Sequence, residues 1–269
     1  MDRQTWLDQR QGAVLASYDQ DAPTYDDQVH HAQTQQDWVA RLLHACRPAG
    51  KLLDAPCGTG SYFSMVAVAG HRVVGADQSA GMLAQARARG IAIALDQVPL
   101  QDLSYDSEFD GILTIDAMEH IPPEHWPLVL ANLHRAARPG GLLYLTVEEV
   151  AEPVIEDAYA TLTRRRLPAV RGEVIDGNVG GYHYYPEPDQ VAAWFNAARL
   201  HILDEGFQQE DGWGYRHFLL QRARQSRITA QAHPVAPPGM PASRHPEPDS
   251  GASGDPTVAR REGEQDNAC

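Results

Sequence analysis

Five short apolar runs, separated by longer segments, are the feature that most limits what this chain can fold into. The runs are near-continuous rather than alternating, and they comprise Leu52-Leu53, 73–76, 91–95, 112–115 and 142–147. Strands that helices cover on both faces have this pattern, because neither face meets water. We therefore predict that the runs are strands of a buried, mostly parallel sheet.

Helical periodicity fills the segments between the runs. One apolar stripe ahead of the last run consists of Trp126, Val129, Leu130, Leu133 and Ala137, and Pro139-Gly140-Gly141 ends it. Alternating strands and helices predict a doubly wound α/β fold with helices on both faces of the sheet. Two further strands are expected at about 200–209 and 213–221, which brings the sheet to seven strands.

The composition predicts one domain, residues 1–224, followed by a tail. A polar N-terminal arm, 1–33, precedes the core at 34–221, and an insertion at about 151–186 interrupts the alternation of strands and helices. The insertion contains a helix near 153–165 and then glycines at 172, 177, 180 and 181. The Pro-rich tail, 225–269, holds seven of the 19 prolines and almost no large apolar side chains. Because such a segment cannot offset its ordering entropy by burial, we expect it to be disordered.

The charge of the chain limits its partners. The formal net charge is −14, from 22 basic and 36 acidic residues, which disfavours nucleic acids and anionic membranes as partners. The three cysteines, Cys46, Cys57 and Cys269, have neither metal nor disulfide spacing. With a polar N-terminus and no run of 18 apolar residues, the sequence predicts a cytoplasmic protein with no membrane segment.

The loop after the first run is the strongest local signal for a ligand. Asp54 ends the run, and Gly58 and Gly60 form a turn that lets the backbone approach a ligand closely. Asp77 ends the second run, 17 residues past Gly60, where a carboxylate can accept hydrogen bonds from both hydroxyls of a ribose. A dinucleotide loop would carry a third glycine at position 63, which is Phe63 here. The pattern therefore favours a nucleoside ligand without pyrophosphate, and an NAD(P)-dependent oxidoreductase is the alternative.

Over roughly residues 35–221 these motifs resemble the class I S-adenosylmethionine-dependent methyltransferases. The first motif of the family matches Asp54, Gly58 and Gly60, and its ribose-binding acid matches Asp77. The Arg-Pro-Gly-Gly turn before the fifth strand of the family is matched at 138–141. The resemblance implies a Rossmann-like methyltransferase fold whose last strand is antiparallel, with S-adenosylmethionine as cofactor.

The resemblance also assigns five further residues to the cofactor. In many family members an Asp beside an apolar residue reads the adenine, about eight residues before a Phe-Asp pair, and Asp102-Leu103 stand in that place before Phe109-Asp110. The other assigned positions are Gln78 after the ribose acid, Asp116 after the fourth strand, and Tyr25 in the arm. Tyr18 and Tyr25 are similar to N-terminal tyrosines of the family that close over the cofactor, and ordinary packing of the arm is the alternative.

Candidate catalytic residues follow the fourth strand, because ligands of open α/β sheets bind beyond the carboxyl ends of the strands. His120 is the candidate general base, with Glu119 beside it, and a core or capping histidine is the alternative. The spacing of Asp116, Glu119 and His120 is also similar to the metal-binding arrangement of ubiquinone-biosynthesis O-methyltransferases and small-RNA 3′-end methyltransferases. A divalent ion held there would lower the pKa of an acceptor hydroxyl.

The substrate-side insertion supplies the last candidate. His183 stands among Tyr182, Tyr184 and Tyr185, and such a segment forms either a wall of the acceptor pocket or a packed surface loop. The sequence thus predicts methyl transfer to a small-molecule acceptor, with O-methylation favoured over transfer to nitrogen or carbon. A non-catalytic S-adenosylmethionine-binding protein is a further alternative. The sequence leaves the identity of the acceptor and the oligomeric state open.

Overall fold

The structure, a computed structural model, describes residues 1–28, 32–175 and 181–224. All of them belong to one compact unit, Met1–Ser226. The predicted disordered tail lies outside the described residues, and so do Gly177 and Gly180 of the insertion. Within the described part of the chain no helix is both long and apolar enough to span a bilayer.

The predicted sheet is confirmed: it has seven strands in the order β3-β2-β1-β4-β5-β9-β8. Strands β1 to β5 are parallel, and β9 alone runs opposite to its neighbours β5 and β8. The strands are β1 Lys51–Asp54, β2 Arg72–Asp77, β3 Ala94–Gln97, β4 Phe109–Thr114, β5 Ala137–Val150, β8 Leu200–Gln209 and β9 Trp213–Arg222.

Helices lie on both faces of the sheet and bury two large apolar clusters against it. They are α1 Arg3–Asp21, α2 Tyr25–Gln28, α3 Gln33–Ala45, α4 Phe63–Val68, α5 Ala80–Ala88, α6 Trp126–Ala136, α7 Glu152–Arg164 and α8 Pro188–Ala197. One cluster contains Trp126 and Phe195, and the other contains Trp38 and Phe63. The four central strands β2, β1, β4 and β5 are buried for most of their length, which explains their continuous apolar runs.

Two strands begin at other residues than predicted. The third strand lies at Ala94–Gln97 rather than 91–95, because it pairs only with β2 at the sheet edge and is mostly exposed. The fifth strand begins at Ala137, directly after α6, so the predicted stop at Pro139-Gly140-Gly141 falls inside its irregular first part.

The arm and the insertion contain structure that the sequence pattern did not predict. Helix α1 occupies 19 residues of the polar arm but buries only Trp6, Leu7 and Val14. In the insertion, helix α7 confirms the prediction near 153–165, and β6 Glu173–Val174 pairs with β7 His183–Tyr184 as a two-stranded ribbon. Arg3 joins the two regions, since its guanidinium donates to both carboxylate oxygens of the fully buried Glu173, at 2.8 and 2.7 Å.

Candidate active site

A cavity of about 1100 Å³, counted with its opening to solvent, lies beyond the carboxyl ends of β1, β2 and β4. The N-terminal arm forms part of its wall through Gln11, Val14, Tyr18 and Tyr25. The remaining wall comes from the loops after the strands, including Asp54, Gly58, Asp77, Gln78, 98–101, Asp116 and His120. This is the topological position where open α/β sheets bind ligands, as the sequence predicted.

The end of β1 and the loop after it offer a ligand a hydrogen-bond-accepting carboxylate and open space beside the backbone of Gly58. Asp54 is 2% exposed, and its Oδ2 has no hydrogen-bond partner within the described residues. Burial raises the pKa of this carboxyl, and the nearby Asp77 raises it further. Gly58 has a φ of +52°, and a Cβ there would meet no atom within 4 Å. Gly60 lies outside the wall, and a Cβ there would lie 2.5 Å from the Phe63 ring, so this glycine serves the packing of the turn.

Asp77 is held in a fixed orientation at the end of β2. The Gly58 N–H donates to its Oδ2 and the Ser79 N–H donates to its Oδ1, both at 2.8 Å. Burial is the main influence on its carboxyl and raises the pKa. The Gln78 backbone N–H contributes a further, weaker bond, and a carboxylate with about four lone-pair sites retains acceptor capacity. The arrangement fits a carboxylate that receives two ligand hydroxyls, and Gln78 beside it also lines the cavity.

The residues predicted to read adenine do not line the cavity. Asp102 is exposed at the end of the 3₁₀ turn Leu100–Asp102, and Leu103 is 1% exposed within the core. The segment 98–101 forms this part of the wall instead. The apolar run Val98-Pro99-Leu100 directly after β3 was the signal that would have located it.

The arm is anchored to the loops on the sheet side of the cavity. The Ser79 hydroxyl and the Gly81 N–H both donate to Asp19 Oδ1, at 2.6 and 2.9 Å. Asp26 accepts from the Thr59 hydroxyl at 2.5 Å and pairs with Arg89. The sequence signal for these anchors is the repeat of Tyr-Asp at Tyr18-Asp19 and Tyr25-Asp26, seven residues apart, which was not interpreted as a contact.

Asp116, which follows β4, is held by side chains from three elements. It has a φ of +49°, and its backbone N–H donates to the Thr146 hydroxyl at 2.8 Å. The Gln35 amide donates to both of its carboxylate oxygens, at 2.8 and 2.9 Å, and the Tyr215 hydroxyl contributes a further bond. Burial outweighs these hydrogen bonds and raises the pKa of Asp116 to about 6.

His120 lines the cavity with both ring nitrogens engaged. Its Nδ1 lies 3.1 Å from the Tyr182 carbonyl oxygen and its Nε2 lies 2.9 Å from the Tyr18 hydroxyl. Because a carbonyl only accepts, we assign the proton to Nδ1, and Nε2 then accepts from Tyr18. Burial lowers the pKa of His120 to about 4, with a contribution from His183. The imidazole is therefore neutral at physiological pH, with its basic lone pair directed at Tyr18.

Glu119 lies behind His120 rather than in the cavity wall. It is buried, its Oε1 lies 3.9 Å from His120 Nε2, and its Oε2 has no hydrogen-bond partner among the described residues. Burial raises the pKa of this carboxyl, as do Glu148 and Asp116. Within the described residues, no group of three His, Cys, Asp or Glu side chains lies so that it could hold a metal ion. Asp116, Glu119 and His120 therefore do not fit the metal alternative.

His183 lies on β7, outside the cavity wall, with its ring 5.0 Å from that of His120. The tyrosines around it are buried as well, and the Tyr182 hydroxyl donates to Glu173 at 2.8 Å. The described part of the insertion thus packs behind His120, where the Tyr182 carbonyl faces Nδ1 and the His183 ring faces the imidazole.

Fold and cavity together define the class of protein. A mostly parallel sheet with one reversed strand makes this a doubly wound α/β protein, and a buried acid pair, Asp54 and Asp77, lies at the cavity beyond its strand ends. A family described as a methyltransferase domain matches residues 52–141. A demethylmenaquinone methyltransferase of Parafrankia sp. (strain EAN1pec) is 30% identical over 223 residues, covering 72% of this chain and 85% of the relative. The chain belongs to the class I S-adenosylmethionine-dependent methyltransferases.

Other relatives are named for different methyl acceptors. A malonyl-[acyl-carrier protein] O-methyltransferase of Serratia marcescens is 32% identical, over 57% of this chain and 60% of the relative. A ubiquinone biosynthesis O-methyltransferase of Xanthomonas campestris pv. campestris (strain B100) is 24% identical, over 86% of this chain and 95% of the relative. Family membership decides between the two cofactor classes that the sequence left open, in favour of S-adenosylmethionine over NAD(P).

Solved structures agree with the fold. The Burkholderia thailandensis 1,6-didemethyltoxoflavin-N1-methyltransferase, with 1,6-didemethyltoxoflavin and S-adenosylhomocysteine bound, has a TM-score of 0.61 at 20% identity. That match covers 83% of this chain and 91% of the other. A Leishmania major S-adenosylmethionine-dependent methyltransferase has a TM-score of 0.60 at 12% identity, covering 78% of this chain and 82% of the other.

Proposed function

We propose that this protein transfers the methyl group of S-adenosylmethionine to a hydroxyl oxygen of a small-molecule acceptor. The observation that carries the proposal is the neutral His120 in the cavity wall. Its Nδ1–H donates to the Tyr182 carbonyl, and its Nε2 accepts from the Tyr18 hydroxyl. A hydroxyl is protonated at neutral pH, so a base must take its proton as the new bond forms.

The residues of the cavity suit the cofactor. Asp77 would accept the two ribose hydroxyls. Asp54 Oδ2, which has no hydrogen-bond partner in the described part of the chain, would accept from the ammonium group. Gly58 leaves its backbone open to the ligand, and Gln78, Tyr25 and Asp116 are the remaining wall residues assigned to it. When bound, the cofactor supplies a methyl group that its sulfonium sulfur has already activated.

The remaining task of the protein is alignment and exclusion of water. Holding two reactants in line makes the transfer effectively unimolecular, which accounts for ~7–11 kcal/mol of a barrier in well-oriented systems. The anchored arm supports this role, since Asp19 and Asp26 fasten it to the loops beside the cavity. Tyr18 and Tyr25 then form part of the wall.

A small acceptor and a cytoplasmic location complete the proposal. The net charge of −14 opposes docking of nucleic acid, and the menaquinone, ubiquinone and toxoflavin relatives act on small molecules by their names. Cys46 and Cys57 are free, buried thiols, which suits a reducing compartment.

Calorimetry tests the cofactor. S-adenosylmethionine and S-adenosylhomocysteine should bind, and NAD should not. Asp77→Ala removes two charge-assisted hydrogen bonds, each ~1.5–3 kcal/mol, so affinity should fall at least ~10-fold. Asp106→Ala, which removes an exposed carboxylate outside the cavity, is the control. Asp102→Ala, measured in parallel, tests the second predicted acid. Unchanged affinity in Asp77→Ala would refute the ribose assignment.

Methyl transfer distinguishes an enzyme from a protein that only binds the cofactor. Incubation with methyl-labelled S-adenosylmethionine and a small-metabolite extract should label an acceptor whose methyl group resists base as an ether does. His120→Ala should lower kcat by ~100-fold or more with unchanged cofactor affinity. Labelling on nitrogen or carbon would overturn the hydroxyl assignment. Cofactor binding with no labelled product would support the non-catalytic alternative.

A further inference from the structure

Helix α1 places a hydroxyl group against His120 in the wall of the cavity. Tyr18 lies in the last turn of this helix and lines the cavity, and its hydroxyl oxygen is 2.9 Å from His120 Nε2. Tyr18 and His120 are 102 residues apart in sequence, and the region of the family match, 52–141, contains only the histidine. The arm therefore supplies part of the polar wall around His120.

The imidazole cannot receive an acceptor proton directly while this contact is in place. Its Nδ1 donates to the Tyr182 carbonyl, and its Nε2 accepts from Tyr18, so both ring nitrogens are used. The Tyr18 hydroxyl has one donor and two acceptor lone pairs. It gives its proton to His120 and keeps a lone pair available to a ligand in the cavity.

Tyr18 cannot act as a base alone. Burial raises its pKa well above the usual range, and Tyr25, Glu119 and Asp116 raise it further. A tyrosinate is therefore inaccessible at neutral pH, and the hydroxyl can take a proton only as it passes its own proton on. His120 receives it, because its Nε2 is unprotonated under these conditions.

We propose that Tyr18 is the catalytic residue that contacts the acceptor hydroxyl and relays its proton to His120. The acceptor O–H bond breaks and its proton moves to Tyr18 Oη, while the Tyr18 proton moves to His120 Nε2. The acceptor oxygen bonds to the methyl carbon, the sulfur–methyl bond breaks, and its electron pair stays on sulfur. The positive charge leaves the sulfonium and ends on the imidazolium. The relay rests on the proposed function.

The surroundings of His120 accommodate the charge that it gains. Glu119 Oε1 lies 3.9 Å from Nε2 in the same 3₁₀ turn, and the Tyr182 carbonyl holds the opposite nitrogen. His183 on β7 faces the ring at 5.0 Å and opposes the charge, while Tyr18 approaches from α1.

The test compares Tyr18→Phe with Tyr105→Phe. Tyr105 also donates its hydroxyl to a side chain, Asp96, but it lies outside the cavity wall. Tyr18→Phe should lower kcat by ~100-fold or more, with cofactor Kd and acceptor KM within twofold, and Tyr105→Phe should keep wild-type kcat. The solvent deuterium effect on kcat should change only in Tyr18→Phe.

A second readout needs no acceptor. In nitrogen-15 spectra of histidine-labelled protein bound to S-adenosylhomocysteine, His120 should show a protonated Nδ1 and a hydrogen-bonded Nε2. Tyr18→Phe should move the Nε2 signal toward the value of a free imine nitrogen, and Tyr105→Phe should not. An unchanged Nε2 signal, or more than a tenth of wild-type kcat in Tyr18→Phe, would overturn the relay. A wild-type protein that transfers no methyl group would instead refute the proposed function.

Discussion

Arg3→Met is expected to destabilise the protein far more than an exposed arginine substitution does. The Arg3 guanidinium donates to both oxygens of Glu173, to the Pro168 carbonyl and to Glu124, and its side chain is 24% exposed. Glu173 is 0% exposed. Removing Arg3 leaves this carboxylate with the Val170 N–H and the Tyr182 hydroxyl as donors, and no cation beside it among the described residues.

The magnitude follows from burial. Breaking a buried ion pair costs ~3–5 kcal/mol, because a charge remains without its counterion. Because Glu173 keeps two neutral hydrogen-bond donors and Arg3 is partly exposed, we expect a loss at the lower end of this range, about 3 kcal/mol. For a domain of this size that corresponds to a fall in Tm of ~6–12 °C. Urea unfolding at pH 7.5 should show a lower midpoint with an unchanged m value.

Arg171→Met is the matched control. Arg171 pairs with Glu152, Glu156 and Glu187, but its side chain is 39% exposed, so we expect a much smaller loss of stability than in Arg3→Met. Adding Glu173→Gln to Arg3→Met removes the uncompensated charge and should restore most of the lost stability. If both arginine substitutions cost the same, or if Glu173→Gln restores nothing, burial of the Glu173 charge is not the source of the effect.

Three further outcomes are expected. Gly60→Ala should lower the free energy of unfolding more than Gly70→Ala, because both have positive φ but only the Gly60 Cβ would clash with Phe63; equal losses in chemical denaturation would contradict this. Burial lowers the pKa of His217 to about 4, so the stability it contributes is fully present above about pH 6.5 and is lost as pH falls toward 4. Stability curves of wild type and His217→Phe should differ in slope across that range by up to ~1.4 kcal/mol per pH unit, and parallel curves would refute the shift. Methyl transfer should persist in chelator, since Asp116, Glu119 and His120 do not gather as ligands, and loss of activity that added divalent ion restores would reverse that conclusion.

The sequence predicted the sheet well because burial leaves a direct mark on composition. The central strands are covered on both faces, so their apolar runs had no competing interpretation. The edge strand β3 is mostly exposed, and its position is fixed by pairing with Val74–Asp77 rather than by its own side chains. Helix α1 escaped prediction for a related reason: only three of its 19 residues are buried.

The candidate site was predictable where one local segment determines it. Asp54, Gly58 and Asp77 stand at strand ends and line the cavity as expected, although their roles in binding stay predictions. Asp102-Leu103 were placed by spacing alone, and the short turn at Leu100–Asp102 directs Leu103 into the core instead. The contact of Tyr18 with His120 depends on how α1 packs, which no local pattern records.

The anchored arm connects the Arg3–Glu173 attachment with the affinity for the cofactor. Tyr18 and Tyr25 reach the cavity wall from the arm. Under the proposed function, the fraction of molecules with a docked arm should therefore set the apparent cofactor Kd. Arg3, at the far end of α1, fastens the arm to Glu173. We therefore expect a substitution at Arg3 to weaken cofactor binding without any contact with the cofactor. By reciprocity, bound cofactor should strengthen the Arg3–Glu173 attachment by the same free energy.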